Sequence, residues 1–287
     1  MKSALYPRQR LPRRAARRRL PILIAALALL LLSLPPVTAD AGGQNTKPTI
    51  VLVHGAWAGP SSWNMVVRDL HDDGYQTAAP TLGLASLPAD VATVQATLDS
   101  IPGKKILVGH SYGGAVISAA AYGRSDVLGL VYSAAFVPDQ GETLVGLGNG
   151  YNPPAALPHF LWTGIPFFPG SLAAIDPVFF QQDFAQDLSV QEAAALSAGQ
   201  IPIAFNPVFF TPSGPVAWHT LPSWYAVSGA DRMIDPAEQR FMAQRVGATT
   251  IEFPTASHVG GITVHAGRFT GLIEQAVEAT GKRSAGD

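Results

Sequence analysis

The chain has 287 residues, of which 47% are hydrophobic and 14% are charged, and it contains no cysteine. The lack of cysteine excludes disulfides, thiolate metal sites and a cysteine nucleophile. The formal net charge of −1 hides an uneven distribution, because eight of the 19 basic residues precede Leu20 and every acidic residue lies at or after Asp40.

Residues 1–41 have the pattern of a signal peptide. The basic residues precede an apolar run at 22–34, and small residues follow, with possible cleavage sites near Ala39 and Ala41. A run this short favours a cleaved signal, although a retained anchor is an alternative. Residues 17–19 loosely resemble a twin-arginine signal, so the export route stays open. We predict an extracellular protein with no stable membrane insertion after cleavage.

The remaining chain, residues 42–287, is predicted to form one acidic domain. After cleavage near Ala39, 11 basic residues face 20 acidic ones, counted from Asp40 onward, a net charge near −9. This charge excludes a nucleic-acid-binding surface and disfavours polyanionic substrates. The length suffices for one large domain with a buried core. The sequence does not indicate which oligomeric state the protein adopts.

Short apolar strands alternate with amphipathic helical patterns after residue 48. The predicted strands are residues 49–53, 75–79, 106–108, 127–132, 224–227 and 249–253. The predicted helices are residues 61–70, 89–98, 115–122, 187–198, 236–246 and 268–278. Such alternation with short connections predicts the α/β class, a mostly parallel sheet covered by helices on both faces.

The alternation stops between about residues 138 and 222. This segment is rich in proline and in paired aromatic residues, such as Phe167 with Phe168 and Phe209 with Phe210. An insertion between strands at the active end of a sheet usually forms a lid. We therefore predict a lid that packs on the domain and lines an apolar cavity.

The most informative motif is the sequence GHSYGG at residues 109–114, between a predicted strand and a predicted helix. It has the form G-x-S-x-G, in which a sharp turn projects the serine hydroxyl clear of the backbone. Glycines flank the serine because no side chain fits where the strand folds back against the helix. Ser111 is therefore the candidate nucleophile.

A serine hydroxyl needs a base beside it, and the base needs an orienting carboxylate. Asp231 and His258 follow the predicted strands 224–227 and 249–253, in the chain order serine, acid, histidine. Both leave the sheet at the end where Ser111 lies, which is where open α/β sheets bind ligands. We predict a triad of Ser111, Asp231 and His258.

Other acids and histidines compete for these roles. Asp235 could be the acid, but an N-cap role for the helix starting at Pro236 explains it fully. Asp139 and Glu142 follow another strand and form a further alternative for the acid. His265 competes with His258 but lies toward the last helix.

The other histidines are assigned to structural or surface roles. Those at positions 71, 159 and 219 are predicted to lie on the surface or in the lid. His54 and His110 lie within motifs, and we expect them to hold backbone geometry rather than to transfer protons.

Acyl transfer also needs hydrogen-bond donors for the developing oxyanion. The backbone N–H of Tyr112 supplies one at the start of a helix whose dipole favours negative charge. The loop after the first strand supplies the second, through the N–H of Ala56, and Gly55 permits the turn.

Five motifs together resemble bacterial α/β-hydrolases of the carboxylesterase type, which are similar to plant methyl-ester esterases and hydroxynitrile lyases. They are VLVHGAW at 51–57, GHSYGG at 109–114, AAFVP at 134–138, PSWY at 222–225 and ASH at 256–258. The likeness covers residues 49–279 and is weakest in the lid. It implies the same triad and the same oxyanion donors.

The resemblance also separates two activities. The related lyases carry threonine where this chain has Gly55, and lysine where it has Val259. Without that ammonium nothing stabilises a departing cyanide, so the resemblance favours ester hydrolysis.

The sequence thus predicts a secreted serine esterase for small or moderately apolar esters, with no cofactor and no metal. Two alternatives remain at this stage. One is a lyase or haloperoxidase-like enzyme on the same triad, and the other is a non-catalytic protein that binds an apolar ligand.

Overall fold

The computed structural model describes the backbone of residues 47–284 and the side chains up to residue 282. The predicted signal peptide lies outside these residues. In the described part of the chain, no helix is both long enough and apolar enough to cross a membrane.

Nine strands and nine α-helices are described in this range. The strands are β1 (Thr49–Val53), β2 (Thr77–Ala78), β3 (Lys105–His110), β4 (Val127–Ser133), β5 (Phe160–Thr163), β6 (Leu172–Ile175), β7 (Ile203–Ala204), β8 (Ser223–Ser228) and β9 (Thr249–Phe253). The helices are α1 (Asn64–Asp72), α2 (Leu87–Ser100), α3 (Tyr112–Ala120), α4 (Leu144–Leu147), α5 (Pro177–Phe184), α6 (Val190–Ala198), α7 (Phe205–Phe209), α8 (Pro236–Arg245) and α9 (Ala266–Ser284).

Six parallel strands form the central sheet in the order β2-β1-β3-β4-β8-β9. Every residue of β3 is buried, as expected for a central strand of a parallel sheet. Helix α3 packs on β3 and on α2, while α9 packs on β4, β8 and α1. The predicted α/β architecture with a mostly parallel sheet is confirmed.

The helix after the serine turn begins at Tyr112, three residues earlier than predicted. Gly113 and Gly114 belong to the first turn of α3 and not to the loop before it. A Cβ at Gly114 would lie 2.5 Å from the carbonyl oxygen of Phe136. The glycines are therefore required for the close approach of this helix to its neighbours and do not interrupt it.

The insertion at residues 138–222 has more regular structure than its sequence indicates. Strands β5, β6 and β7 form a separate three-stranded antiparallel sheet, which the sequence pattern does not predict. The predicted helix at 187–198 corresponds to α6, which begins after Ser189 with a capping box that includes Glu192. The indole Nε1 of Trp57 donates to the carbonyl of Ala173 in β6, which ties the insertion to the loop after β1.

Candidate active site

Ser111 lies between β3 and α3 with φ 55° and ψ −124°, a positive-φ conformation that is strained for a residue with a side chain. The backbone holds it there, because its N–H donates to Ser133 and its carbonyl accepts from the N–H of Phe136. A Cβ at Gly109 would lie 2.7 Å from the carbonyl oxygen of Gly113, so the turn requires glycine there. Ser111 is 5% exposed and lines a cavity.

Asp231 and His258 follow β8 and β9, whose carboxyl ends lie at the same edge of the sheet as that of β3. The His258 Nδ1 lies 2.7 Å from the Asp231 Oδ2, and both side chains are buried. A proton on Nδ1 leaves Nε2 of His258 free to accept one. His258 and Ser111 line the same cavity, so the structure brings the three predicted residues to one place.

The carboxylate of Asp231 is held from several directions. Its Oδ1 accepts from the N–H groups of Met233 at 2.7 Å and Ile234 at 3.1 Å. Its Oδ2 accepts from the amide Nε2 of Gln239 at 2.7 Å, in addition to His258. Such a network fixes the orientation of the acid and hence of the imidazole ring.

The competing residues have other partners. Asp235 caps α8, because its Oδ1 accepts from the N–H of Ala237 at 2.8 Å, so the N-cap prediction is confirmed. Asp139 pairs with His219, and Glu142 pairs with Arg245. The ring of His265 stacks on Phe253. None of these acids or histidines lines the cavity among the residues described.

His54 and His110 support the backbone, as predicted. The Nε2 of His54 accepts from the N–H of Leu82 at 3.0 Å. The Nε2 of His110 donates to the carbonyl of His258 at 2.9 Å. Burial lowers the pKa of both rings, so they stay neutral, and proximity to His258 adds to this effect for His110.

The two predicted oxyanion donors belong to Tyr112, which follows Ser111 directly, and to Ala56, which follows Gly55, where a Cβ would lie 2.7 Å from the Cβ of Ser111. The N–H groups of Ala56 and Tyr112 donate to no carbonyl within the described part of the chain. The phenol of Tyr112 donates to Asp90 Oδ2 at 2.8 Å, which anchors the first residue of α3. Burial raises the pKa of Tyr112 and that of Asp90. The assignment of the N–H groups of Ala56 and Tyr112 as oxyanion donors stays a prediction.

The cavity above Ser111 has a volume of about 290 Å³ and is mainly apolar. Its aromatic lining residues are Trp57, Phe136, Tyr151, Phe160, Phe167, Phe205, Phe209 and Phe210. Most of them belong to the insertion, and Trp57 stacks between the rings of Phe160 and Phe209. The wall around the serine is therefore mostly aromatic and apolar.

Two residues of the site are not indicated by the sequence pattern. Gln239 supports Asp231, and Glu238 lines the cavity beside Ser111 and His258. Both lie in the first turn and a half of α8, directly after the capping residue Asp235. The sequence there is typical of a surface helix, and only the contact partners reveal otherwise. Within the described residues, no group of three or more metal-ligating side chains could hold a metal ion.

A comparison with protein families gives the decisive match. The sequence profile described as the alpha/beta hydrolase family matches residues 50–269. The chain belongs to the alpha/beta hydrolase family. This matched range contains Ser111, Asp231 and His258, and the expectation of an α/β-hydrolase related to esterases is confirmed.

Relatives of this alpha/beta hydrolase include proteins named as esterases. A carbendazim-hydrolyzing esterase of Nocardioides sp. (strain SG-4G) is 34% identical over 124 residues, which are 39% of this chain and 51% of that protein. The match thus spans about half the length of that relative.

Solved structures of other members share the fold. Polyneuridine aldehyde esterase superposes with a TM-score of 0.69 at 21% identity, covering 80% of this alpha/beta hydrolase and 100% of that chain. A pyrethroid hydrolase from Sphingobium faniae JZ-2 has a TM-score of 0.69 at 24% identity, covering 81% and 98% of the two chains.

Proposed function

We propose that this alpha/beta hydrolase is a serine carboxyl-ester hydrolase that acts through an acyl-enzyme. The observation that carries the proposal is the arrangement at one apolar cavity of a strained Ser111 and a His258 paired with Asp231 at 2.7 Å. The names of the similar esterases support the same chemistry. A buried acid–histidine pair is not needed to hold the fold together, because apolar residues would serve there equally well. Its place beside a serine on a sharp turn therefore points to catalysis.

The reaction would proceed in two halves. His258 Nε2 takes the proton of the Ser111 hydroxyl while the serine oxygen bonds to the ester carbonyl carbon. The oxyanion accepts hydrogen bonds from the N–H groups of Ala56 and Tyr112. Collapse breaks the bond to the alcohol, which leaves with the proton from His258. Water then attacks the acyl-serine, again with His258 as base, and releases the acid. Asp231 orients and stabilises the imidazolium throughout.

Two positions favour hydrolysis over a lyase reaction. A Cβ at Gly55 would lie 2.7 Å from the Cβ of Ser111, so a threonine cannot be placed there without displacing the serine turn. Val259 follows His258 and is 1% exposed, so it provides an apolar contact and no cation. A leaving anion such as cyanide would meet no ammonium group from this position.

The aromatic lining favours substrates with apolar acyl or alcohol parts. The cavity of about 290 Å³ accommodates a small or moderately sized group, and burial of apolar area contributes about 25 cal/mol per Å².

We further propose that residues 1–41 direct export and are cleaved near residue 39 or 41. Mass determination of the protein recovered from the culture medium would test this, and a chain retained in cells at full length would contradict it.

The proposed activity is tested by covalent labelling and by hydrolysis of short-chain aryl esters. We expect wild type to react with a fluorophosphonate and to cleave 4-nitrophenyl acetate or butyrate. Ser111→Ala should abolish labelling, and Ser111→Ala or His258→Ala should lower the rate at least about a thousandfold. Ser118→Ala is the matched control, because Ser118 is a buried serine of the following helix and lies outside the cavity.

If wild type neither labels nor cleaves any ester, the proposal is wrong. Retained binding of an apolar ligand in that case would support the non-catalytic alternative. Cleavage of hydroxynitriles in preference to esters would instead support the lyase.

A further inference from the structure

Glu238 places a carboxyl group in the wall of the active-site cavity. It is the third residue of α8, is 3% exposed, and lines the same cavity as Ser111 and His258. The proposed hydrolytic mechanism assigns it no role. Its neighbours along the helix do have roles, because Asp235 caps α8 and Gln239 holds Asp231.

The carboxyl of Glu238 lacks a partner within the described part of the chain. Among the residues that the structure describes, its Oε1 is buried without a hydrogen bond, and no lysine, arginine or histidine forms an ion pair with it. The charged groups that act on it most strongly are the carboxylates of Asp235 and Asp231. Burying an unpaired carboxyl group lowers stability, so its presence points to a partner that arrives with a ligand.

The rest of the cavity indicates what that partner is. Among the described lining residues, Glu238 is the single carboxylate, and neither lysine nor arginine contributes. The remaining wall is largely aromatic, and aromatic faces attract ammonium groups. The Oε2 of Glu238 faces Gly148, another residue of the cavity wall, since a Cβ at Gly148 would lie 4.0 Å from this oxygen.

We propose that Glu238 is a specificity-determining residue that binds an ammonium group of the substrate, so that the cavity prefers esters carrying an amine on their acyl or alcohol part. The inference rests on the proposed ester hydrolysis and names its substrate class. The ammonium N–H donates to the carboxylate, while the apolar remainder of the substrate contacts the aromatic wall.

The ionisation of Glu238 sets the conditions for a test. Burial, with the nearby charges of Asp235 and Asp231, raises the pKa of Glu238 to about 7. The other groups on the cavity wall that can titrate are His258 and the phenol of Tyr151. At pH 8.5 the carboxyl is ionised and most alkylamines are still protonated, so binding is measured there.

The first experiment measures binding without any reaction. Calorimetry at pH 8.5 compares 3-phenylpropan-1-amine with 3-phenylpropan-1-ol, which differ in the ammonium group. Wild type should bind the amine about tenfold more tightly or better, as a charge-assisted hydrogen bond implies. Glu238→Gln and Glu238→Leu should remove this preference.

Glu192→Gln is the matched control. Glu192 is also the third residue of its helix, it is exposed, and glutamine can replace glutamate in a capping box. It removes the same charge from the protein as Glu238→Gln does, yet it should retain the preference for the amine. Loss of the preference in this variant as well would show a long-range charge effect and overturn the proposal.

The second experiment measures hydrolysis of two aryl esters that differ in a terminal amine, the 4-nitrophenyl esters of 6-aminohexanoate and heptanoate. The ratio of their kcat/KM values should favour the amino ester in wild type and fall about tenfold or more in Glu238→Gln. If wild type binds the amine no better than the alcohol, the subsite is wrong. If amine binding depends on Glu238 but no ester is cleaved, the proposed hydrolysis is wrong and the subsite stands.

Discussion

The amide Nε2 of Gln239 lies 2.7 Å from the Oδ2 of Asp231, the oxygen that also accepts from the ring of His258. Gln239 is fully buried, and its own Oε1 accepts from the N–H of Ser228 at the end of β8. Helix α8 is thereby linked through one side chain both to the sheet and to the acid of the proposed triad.

Gln239→Met should therefore impair turnover more than substrate binding. It removes the hydrogen bond to Asp231, and a bond to a charged group contributes about 1.5–3 kcal/mol. We expect kcat to fall about tenfold to a hundredfold while KM changes little, as steady-state hydrolysis of an aryl ester would show.

Gln200→Met is the matched control for this prediction. Gln200 makes comparable hydrogen bonds to the backbone of Ile175 within the insertion, away from Asp231. Its variant should lose stability and keep kcat. An equal fall of kcat in both variants would contradict a specific role for Gln239.

Replacing the strained Ser111 should reveal the cost of its backbone conformation. Glycine adopts φ 55° without the penalty that a Cβ imposes, and such strain costs about 1–3 kcal/mol. Ser111→Gly should therefore unfold at a temperature at least about 2 °C higher than Ser111→Ala, by calorimetry on two inactive proteins.

Ser197 is the matched control, because alanine and not glycine is expected to be the more stable replacement at this helical position. It lies in α6, where glycine is less favourable than alanine by roughly 1 kcal/mol. Ser197→Gly should thus unfold at a lower temperature than Ser197→Ala. If the order at Ser111 is the same as at Ser197, the turn stores no strain.

The ring of Phe209 forms part of the wall of the cavity that contains Ser111, so a smaller side chain there should enlarge the cavity. It lies 5.7 Å from the ring of Trp57 and also contacts Tyr112 and Phe136. Phe209→Leu should favour long acyl chains, so that kcat/KM for an aryl octanoate rises relative to the aryl acetate, by about fourfold for each additional methylene that the enlarged cavity buries. Phe180→Leu, a buried change outside this cavity, should leave the ratio unchanged.

The stability of the protein should depend on pH through Glu238. Its pKa is about 7 in the folded state against 4.5 as the ordinary value, so the folded protein keeps a proton that the unfolded chain releases. Stability therefore falls as the pH rises from 4.5 to 7, by about 3 kcal/mol in total. Above about pH 7 this whole contribution of Glu238 to the free energy of unfolding has been lost.

Glu238→Gln should abolish this component. The unfolding temperature of the variant minus that of wild type should increase by several degrees from pH 5 to pH 7.5, as thermal melts would show. Asp90, whose pKa is also raised by burial, contributes equally to both proteins and cancels in the difference. A constant difference across this range would show that Glu238 is already ionised in the folded protein at pH 5.

Regular alternation along the chain predicts the central sheet well, because each parallel strand is short, apolar and separated from the next by a helix. It predicts the insertion poorly. Strand β6 pairs with β5 on one side and, across about 30 residues of sequence, with β7 on the other, where Leu172 lies opposite Ala204. Only this pairing gives the three strands their structure. Helix α5 is not predicted because Val178, Phe179 and Phe180 form an apolar run without a readable period.

Ser111, Asp231 and His258 can be named from the order of their motifs, because the carboxyl ends of parallel strands meet at one edge of a sheet and so bring distant residues together. Gln239 and Glu238 cannot be named in this way. Adjacent residues on a helix point in different directions. Only the packing of α8 on β8 and against the cavity directs Gln239 to Asp231 and Glu238 to the cavity wall. Hydrogen-bond partners depend on three-dimensional packing, which motif spacing alone does not encode.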